Sequence, residues 1–325
     1  MKEGINVLVT GANGQVGMNI IEHLSLMPNF NVSGMYGKNQ PILDSAVCFP
    51  LDLTTISNDD ISLQSILKNQ DIVIHTAGYI NICPKNDEEK KHLVNVNQHG
   101  TINFFKNCEI IGVETVIYIS SIEAFLSNGV FRQENLYSNE HTTLYGSTKA
   151  NATNYFEQQS KIPRRITIYP SGIISCTKNK PSPLMNFIYS IPTSYFQFYP
   201  KSTFYFLDGE YLSEKVCNYC ENGLPLGLSK SIMLGRESSM SYLINVTKRI
   251  NKQIIFPIAV PIPNWLLYYV AKIGEYVGST ELNSTVFKIL NSTNALVSSE
   301  IRYPPLTRTI MMAFPYEETE SPILN

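Results

Sequence analysis

Ile5-Asn-Val-Leu-Val9-Thr10-Gly11-Ala12-Asn13-Gly14-Gln15-Val16-Gly17 is the stretch that decides the fold. Its first five residues are apolar and rich in β-branched side chains, the composition of a short buried strand. Glycines at 11, 14 and 17 come next, and then Val16, Ile20, Ile21 and Leu24 recur at helical spacing. Pro28 closes that pattern. A strand, a glycine turn and a helix in this order form a cradle for phosphate. The first turn of a helix offers unpaired N–H groups and the positive end of its dipole. Glycines let the chain turn sharply and let a ligand come close to the backbone. The spacing therefore predicts a dinucleotide held at Gly11, Asn13, Gly14, Gln15, Val16 and Gly17.

Outward from this point, strands and helices alternate. Strands are predicted at 32–36, 47–51, 71–75, 113–120 and 165–169. Helices are predicted at 61–67, 88–108 and 143–160. Such alternation builds a parallel sheet covered on both faces, with right-handed crossovers. The fold class is α/β, a Rossmann-type doubly wound parallel sheet with a smaller C-terminal substrate-binding part. Residues 1–172 form the dinucleotide-binding domain. Residues 173–325 are mainly substrate-binding, with some elements returning to the Rossmann core. Beyond 172 prolines multiply, and helices are expected at 211–221, 240–249 and 264–277. In the last of these Trp265, Leu266, Tyr269, Val270, Ile273, Tyr276 and Val277 share a face, which is expected to pack on its own domain.

Composition narrows the function. The 325 residues are 43% hydrophobic and 16% charged, which argues for a packed core rather than disorder. A formal net charge of -2 gives no reason to expect nucleic acid as a partner. The chain enters its first strand too early for a signal peptide, and no run of ~20 apolar residues is available to span a bilayer. Of the six cysteines only Cys217 and Cys220 have a metal-like spacing, and nothing nearby completes a site. No metal is expected, and the thiols fit a reducing, cytoplasmic setting. The Asn-x-Ser/Thr triplets, as at Asn151 and Asn245, are read as chance.

The chemistry is read from Tyr145-Gly-Ser-Thr-Lys149, with Ser120-Ser121 upstream. A spacing of four places Tyr145 and Lys149 on one helix face. A phenol is a poor base at neutral pH, but a nearby ammonium and a positive nicotinamide ring favour its phenolate. It then exchanges a proton with an alcohol or ketone while a hydride moves. A serine at the C-terminal end of a strand holds the reacting oxygen.

These residues resemble the extended short-chain dehydrogenase/reductases, of the NAD-dependent epimerase/dehydratase type. The resemblance covers most of the chain. Besides the glycine turn and the Tyr145–Lys149 pattern, it rests on Asp52-Leu53, His75-Thr-Ala-Gly78, Asn97 with Gly100-Thr101, Tyr118-Ile-Ser-Ser121 and Tyr169-Pro-Ser-Gly172. It implies that Ser121, Tyr145 and Lys149 are catalytic, with Ser120 the alternative if the register slips. It also implies that Asp52 and Leu53 meet the adenine, that Thr76, Ala77, Gly78, Asn97 and Ser120 line the cofactor's path, and that Pro170 lies near the nicotinamide. His75 is implied to be structural. Ser120-Ser-Ile-Glu123 and Pro263-Asn-Trp-Leu-Leu-Tyr-Tyr-Val-Ala271 resemble the 3β-hydroxysteroid dehydrogenase and 3-oxo reductase branch. Asp208-Gly-Glu-Tyr211 matches that branch only in part. A homodimer paired through two helices is a further implication.

Strand 2 ends Met35-Tyr36-Gly37-Lys38, without the acidic residue that holds the ribose hydroxyls of NAD. Lys38 is placed to meet a 2′-phosphate, so NADP is favoured over NAD. Three functions stay open. The first is an NAD(P)-dependent dehydrogenase or reductase acting on a secondary alcohol or ketone of a fairly apolar small-molecule substrate. The second is a nucleotide-sugar epimerase or reductase, which needs cations such as Arg236 and Arg249 for a diphosphate. The third is a non-catalytic dinucleotide sensor.

Overall fold

The computed structural model describes residues 4–39, 46–177, 180–182, 184–185, 196–200, 203–243, 245, 258–276, 284–299 and 302–304. The strands are β1 (Ile5–Thr10), β2 (Phe30–Tyr36), β3 (Val47–Pro50), β4 (Ile72–His75), β5 (Thr115–Ile119), β6 (Leu126–Ser127), β7 (Val130–Phe131), β8 (Arg164–Pro170) and β9 (Gly172–Ile174). They continue with β10 (Cys176–Thr177), β11 (Lys180–Pro181), β12 (Phe196–Pro200), β13 (Thr203–Asp208), β14 (Gly227–Met233), β15 (Arg236–Ser239), β16 (Ile258–Ile262) and β17 (Thr293–Asn294). The helices are α1 (Gln15–Ser25), α2 (Ile61–Leu67), α3 (Asp87–Val94), α4 (Thr101–Ile111), α5 (Leu144–Asn154), α6 (Gly209–Asn222), α7 (Asn264–Tyr276) and α8 (Ser284–Leu290).

Seven strands form one parallel sheet in the order β14-β8-β5-β4-β1-β2-β3. The order reverses between β1 and β4, and ligands of doubly wound sheets bind at the carboxyl ends of the strands at such a reversal. Pleating sends alternate side chains to opposite faces. Val7 and Val9 pack with Ile20, Ile21 and Leu24 of α1 and with Leu212 and Val216 of α6. Leu8 packs on the other face with Leu63, Phe104, Phe105 and Tyr118. Burying both faces is why these strands read as continuous apolar runs.

Two sequence expectations are corrected, and one strand of the main sheet was not foreseen. The helix expected at 88–108 is two helices, α3 and α4, joined by a π-turn over Asn95–Gly100. An extra residue in that turn leaves no trace in composition. Beyond 172, β14 was not foreseen. It pairs with β8 at the end of the main sheet, and its Leu228-Ser-Lys-Ser run is too polar to read as a strand. In α7 the apolar stripe points outward: Trp265 is 65% exposed and Tyr276 92%, with Tyr269 and Ile273 also exposed. Leu267 and Ala271, on the opposite side, make the packing face. Apolar spacing shows that a helix is two-sided, not which side meets the protein. Of the helix expected at 240–249, residues 240–243 are helical, and Arg249, like Val277, lies outside the described residues.

The tail meets the outer side of β14. Ser299 N donates to Ile232 O at 2.7 Å, and Ile232 N donates to Ser299 Oγ at 2.8 Å. Among the described residues no helix is long and apolar enough to cross a membrane.

Candidate active site

The glycine turn is built by close contact. Gly11 has φ +72°, and a Cβ there would lie 2.8 Å from Thr76 Oγ1 and 2.9 Å from Ala77 N. A Cβ on Gly17 would lie 2.3 Å from Gly11 O. Only glycine lets β1, β4 and α1 approach this closely. Gly14 begins α1, and no side chain caps its first turn. Val16 packs into the core, so it can offer a ligand only its backbone. Asn13 and Gly14 are exposed. Amide donors, a helix dipole and an open approach are the fit a pyrophosphate requires.

Hydrogen bonds lock the ends of β1 and β4 together. Thr76 Oγ1 donates to Thr10 O at 2.6 Å, and Ala77 N donates to Thr10 Oγ1 at 3.2 Å. His75 bridges Thr10 and Thr101 through its two ring nitrogens, at 2.9 and 3.3 Å, and stacks on Phe104. Burial, reinforced by the Lys149 charge, pushes His75 down to about 3, so it is a neutral structural ring. Asn97 is buried on the π-turn. Its Nδ2 donates to Tyr79 O and its Oδ1 accepts from Tyr79 N, both at 2.7 Å. Its carboxamide therefore holds the loop after Gly78. Leu53 is buried, and its carbonyl lies against Gly100. Asp52 Oδ1 accepts from Thr54 N at 2.9 Å and Thr54 Oγ1 at 2.7 Å, and these bonds hold its carboxyl below the usual range. Lys38 is exposed past the end of β2.

The second half of the site hangs on α5. Thr143 caps this helix by accepting from Gly146 N at 2.8 Å. Tyr145 is 8% exposed and Lys149 5%. Lys149 Nζ donates to Ile119 O at 3.0 Å and lies 4.9 Å from the centre of the Tyr118 ring. A Cβ on Gly78 would lie 3.3 Å from Asn97 Oδ1 and 3.8 Å from Lys149 Nζ. The ends of β4 and β5, the π-turn and α5 thus meet at one place. Pro170 ends β8 in register with Met233.

Ser120 and Ser121 point to opposite sides. Ser120 Oγ is buried against Thr153 Oγ1 at 2.8 Å. Ser121 Oγ accepts from Glu123 N at 3.1 Å, and the Ser121 side chain also acts on the Tyr145 hydroxyl. Burial and then the Glu123 carboxylate raise the Tyr145 hydroxyl above its usual range, and the Ser121 side chain partly offsets them. Burial alone pushes Lys149 down to about 7.

A stability prediction follows from Lys149. Between about pH 7 and its ordinary value of 10.5, the unfolded chain binds more protons at this residue than the folded one. Its contribution to stability therefore rises with pH across that window. Lys149→Met removes that rise. Urea unfolding at several pH values is expected to show wild type gaining on the variant by up to about 1.4 kcal/mol per pH unit. A difference independent of pH would refute the assignment.

Cys217 and Cys220 are buried thiols, and no metal-binding cluster occurs among the described residues. Arg236, a candidate clamp for a diphosphate, donates through Nε to Pro304 O and through Nη2 to Tyr303 O, each at 2.8 Å. It is committed to holding the tail.

Residues 8–161 match the 3-beta hydroxysteroid dehydrogenase/isomerase family. The UDP-glucose 4-epimerase of Vibrio cholerae is 29% identical over 152 residues, 45% of this chain and 44% of that protein. The match thus spans less than half of that relative. Among solved structures, gox2253 superposes with a TM-score of 0.73 at 20% identity, over 94% of this chain and 96% of that one. The Bordetella bronchiseptica enzyme WbmH, in complex with NAD+, gives 0.66 at 15% identity over the same shares. The UDP-glucuronic acid 4-epimerase of Bacillus cereus, in complex with UDP-glucuronic acid and NAD, gives 0.66 at 14% identity, again over 94% and 96%. At these identities the likeness to solved structures is one of fold. The family match over residues 8–161 and the sheet order make the chain similar to the extended short-chain dehydrogenase/reductases, of the NAD-dependent epimerase/dehydratase type.

Proposed function

We propose that the protein is an NAD(P)-dependent oxidoreductase acting on a secondary alcohol or ketone carbon. The observation that carries this is the convergence of Ser121, Tyr145 and Lys149 beside an uncapped glycine turn on one sheet edge. A nicotinamide dinucleotide, when bound, supplies or accepts the hydride. Gly11, Gly14, Gln15 and Gly17 would hold its pyrophosphate, and Gly78 and Lys149 its nicotinamide half. Tyr145 holds the proton that the substrate oxygen gains or gives up, and Ser121 orients that oxygen. Burial raises the Tyr145 hydroxyl above its usual range, which favours the form that can donate a proton to a ketone.

The substrate is read as fairly apolar, since Arg236, a candidate clamp for a diphosphate, is engaged with backbone. A second reading, nucleotide-sugar epimerase or reductase, draws on the Vibrio cholerae relative. The two separate on mixing the protein with NADPH or NADH and a panel of apolar ketones, and in parallel with uridine diphosphate sugars. Cofactor oxidation by ketones alone supports the first. Interconversion of sugars with no net cofactor change supports the second, and binding without turnover overturns both.

The cofactor reading favours NADP through Lys38. Lys38→Glu is expected to weaken NADP binding about tenfold or more, the worth of a charge-assisted hydrogen bond, while NAD binding holds. Calorimetric titration with both cofactors decides it, and equal losses would remove Lys38 from the site.

A further inference from the structure

Ser175 follows β9 directly, at the start of the C-terminal part. Its hydroxyl donates to Gln15 Oε1 at 3.1 Å. Gln15 is the first residue of α1, on the glycine turn. Two side chains 160 residues apart in sequence thus join the phosphate cradle to the C-terminal part.

The surroundings fix where that hydroxyl sits. Ser175 is 2% exposed. Its carbonyl accepts from Ser182 N at 2.9 Å, and its own N–H donates to Ser182 Oγ at 3.4 Å. These bonds lie at the foot of the antiparallel pair β10–β11. On the other side Ile174 is in register with Asp208, which caps α6 by accepting from Glu210 N at 2.8 Å. The first residue of that helix comes very close: a Cβ on Gly209 would lie 2.6 Å from Ser175 Cβ. Ser175 is therefore wedged where α1, α6 and the β10–β11 pair meet, and α1 itself packs on β10.

The contacts extend towards the other half of the site. Ser182 Oγ accepts from Met185 N at 3.2 Å. A Cβ on Gly172 would lie 2.9 Å from Leu184 Cδ2, and Gly172 is two residues past Pro170, the end of β8. Ser175, Ser182 and Leu184 thus connect the pyrophosphate turn to the strand end read as the nicotinamide side.

We propose that Ser175 is a positioning residue for the dinucleotide: by holding the Gln15 side chain it fixes the first turn of α1, and filling of that turn by pyrophosphate tightens the β10–β11 pair. The proposal rests on the reading of the glycine turn as the cradle. A side chain held in place beforehand spares the ligand the entropy of ordering it. The coupling is reciprocal, so the same bond carries occupancy of the turn into the C-terminal part.

Ser175→Ala deletes the donor, and Gln15→Met deletes the acceptor while keeping the length of the side chain. Each is expected to raise the Kd for NADPH about three- to tenfold, the worth of one net hydrogen bond. The double variant is expected to lose no more than the larger single loss, because the two side chains act as a unit. Additive losses overturn the proposal. A bond that only braces the fold would lower the melting temperature and leave Kd as it is, which also overturns it. Amide exchange followed by NMR reads the second half: NADPH is expected to slow exchange at Ser182 and Met185 in wild type, and both variants are expected to lose that slowing. Slowing retained in the variants overturns the proposal. If Ser175→Ala does not fold, Gln15→Met decides by the same two readouts. A wild type that binds neither NADPH nor NADH sinks the dinucleotide reading and the proposal with it, whereas binding that both variants leave unchanged overturns the proposal alone.

Discussion

Tyr145→Phe is expected to cut turnover of any active ketone or alcohol by about 10²–10⁴-fold, the range for losing a positioned proton donor. Nothing else in the site carries that proton. Ser121 Oγ is engaged by the Glu123 amide, and Lys149 points at the Ile119 carbonyl. The substitution deletes one oxygen and keeps the ring, so the packing of α5 is retained. Cofactor affinity should therefore stay within a few-fold of wild type. The deficit should appear in kcat and equally in kcat/KM, the pattern of an interaction realised only in the transition state. Steady-state kinetics beside a cofactor titration check both halves. A variant that keeps its kcat would remove Tyr145 from the chemistry.

Gly17→Ala is expected to abolish dinucleotide binding, raising Kd by at least about a hundredfold, and to lower stability by about 1–3 kcal/mol through overpacking. The added methyl would sit 2.3 Å from Gly11 O and 2.9 Å from Thr76 Oγ1. Relief requires α1 to move off the ends of β1 and β4, which displaces the amides that would meet phosphate. Gly14→Ala is the control. There a Cβ meets only Gly11 O, at 3.1 Å, so a small adjustment suffices and binding should fall far less. Fluorescence titration with NADPH and thermal melts separate the two. Equal behaviour of the pair would mean that the turn is not the cradle.

Much of this was legible in the sequence because burial leaves a mark on composition. β1 and β4 are covered on both faces, so Val7, Leu8 and Val9 are all apolar and the strand is unmistakable. The glycines at 11 and 17 are fixed by steric contact, so their spacing carries the turn. β14 was hidden because Ser229, Lys230 and Ser231 interrupt the apolar run. The π-turn was hidden because it changes hydrogen bonding without changing residue types. Ser120 and Ser121 are chemically identical, and only the pleat decides which one reaches Tyr145. Spacing put Tyr145 and Lys149 on one helix, but could not show that Lys149 would spend its proton on a carbonyl.

The pairing of Ser299 with Ile232 has a consequence for the fate of the protein outside its own fold. A parallel sheet with a bare terminal strand is a template on which foreign strands can stack. Here the tail stoppers one end of that strand, and further along Lys230, its ammonium anchored by Glu157, is the charge that repels an incoming neighbour. Losing that cover would leave the outer backbone of β14 open to pairing with another chain.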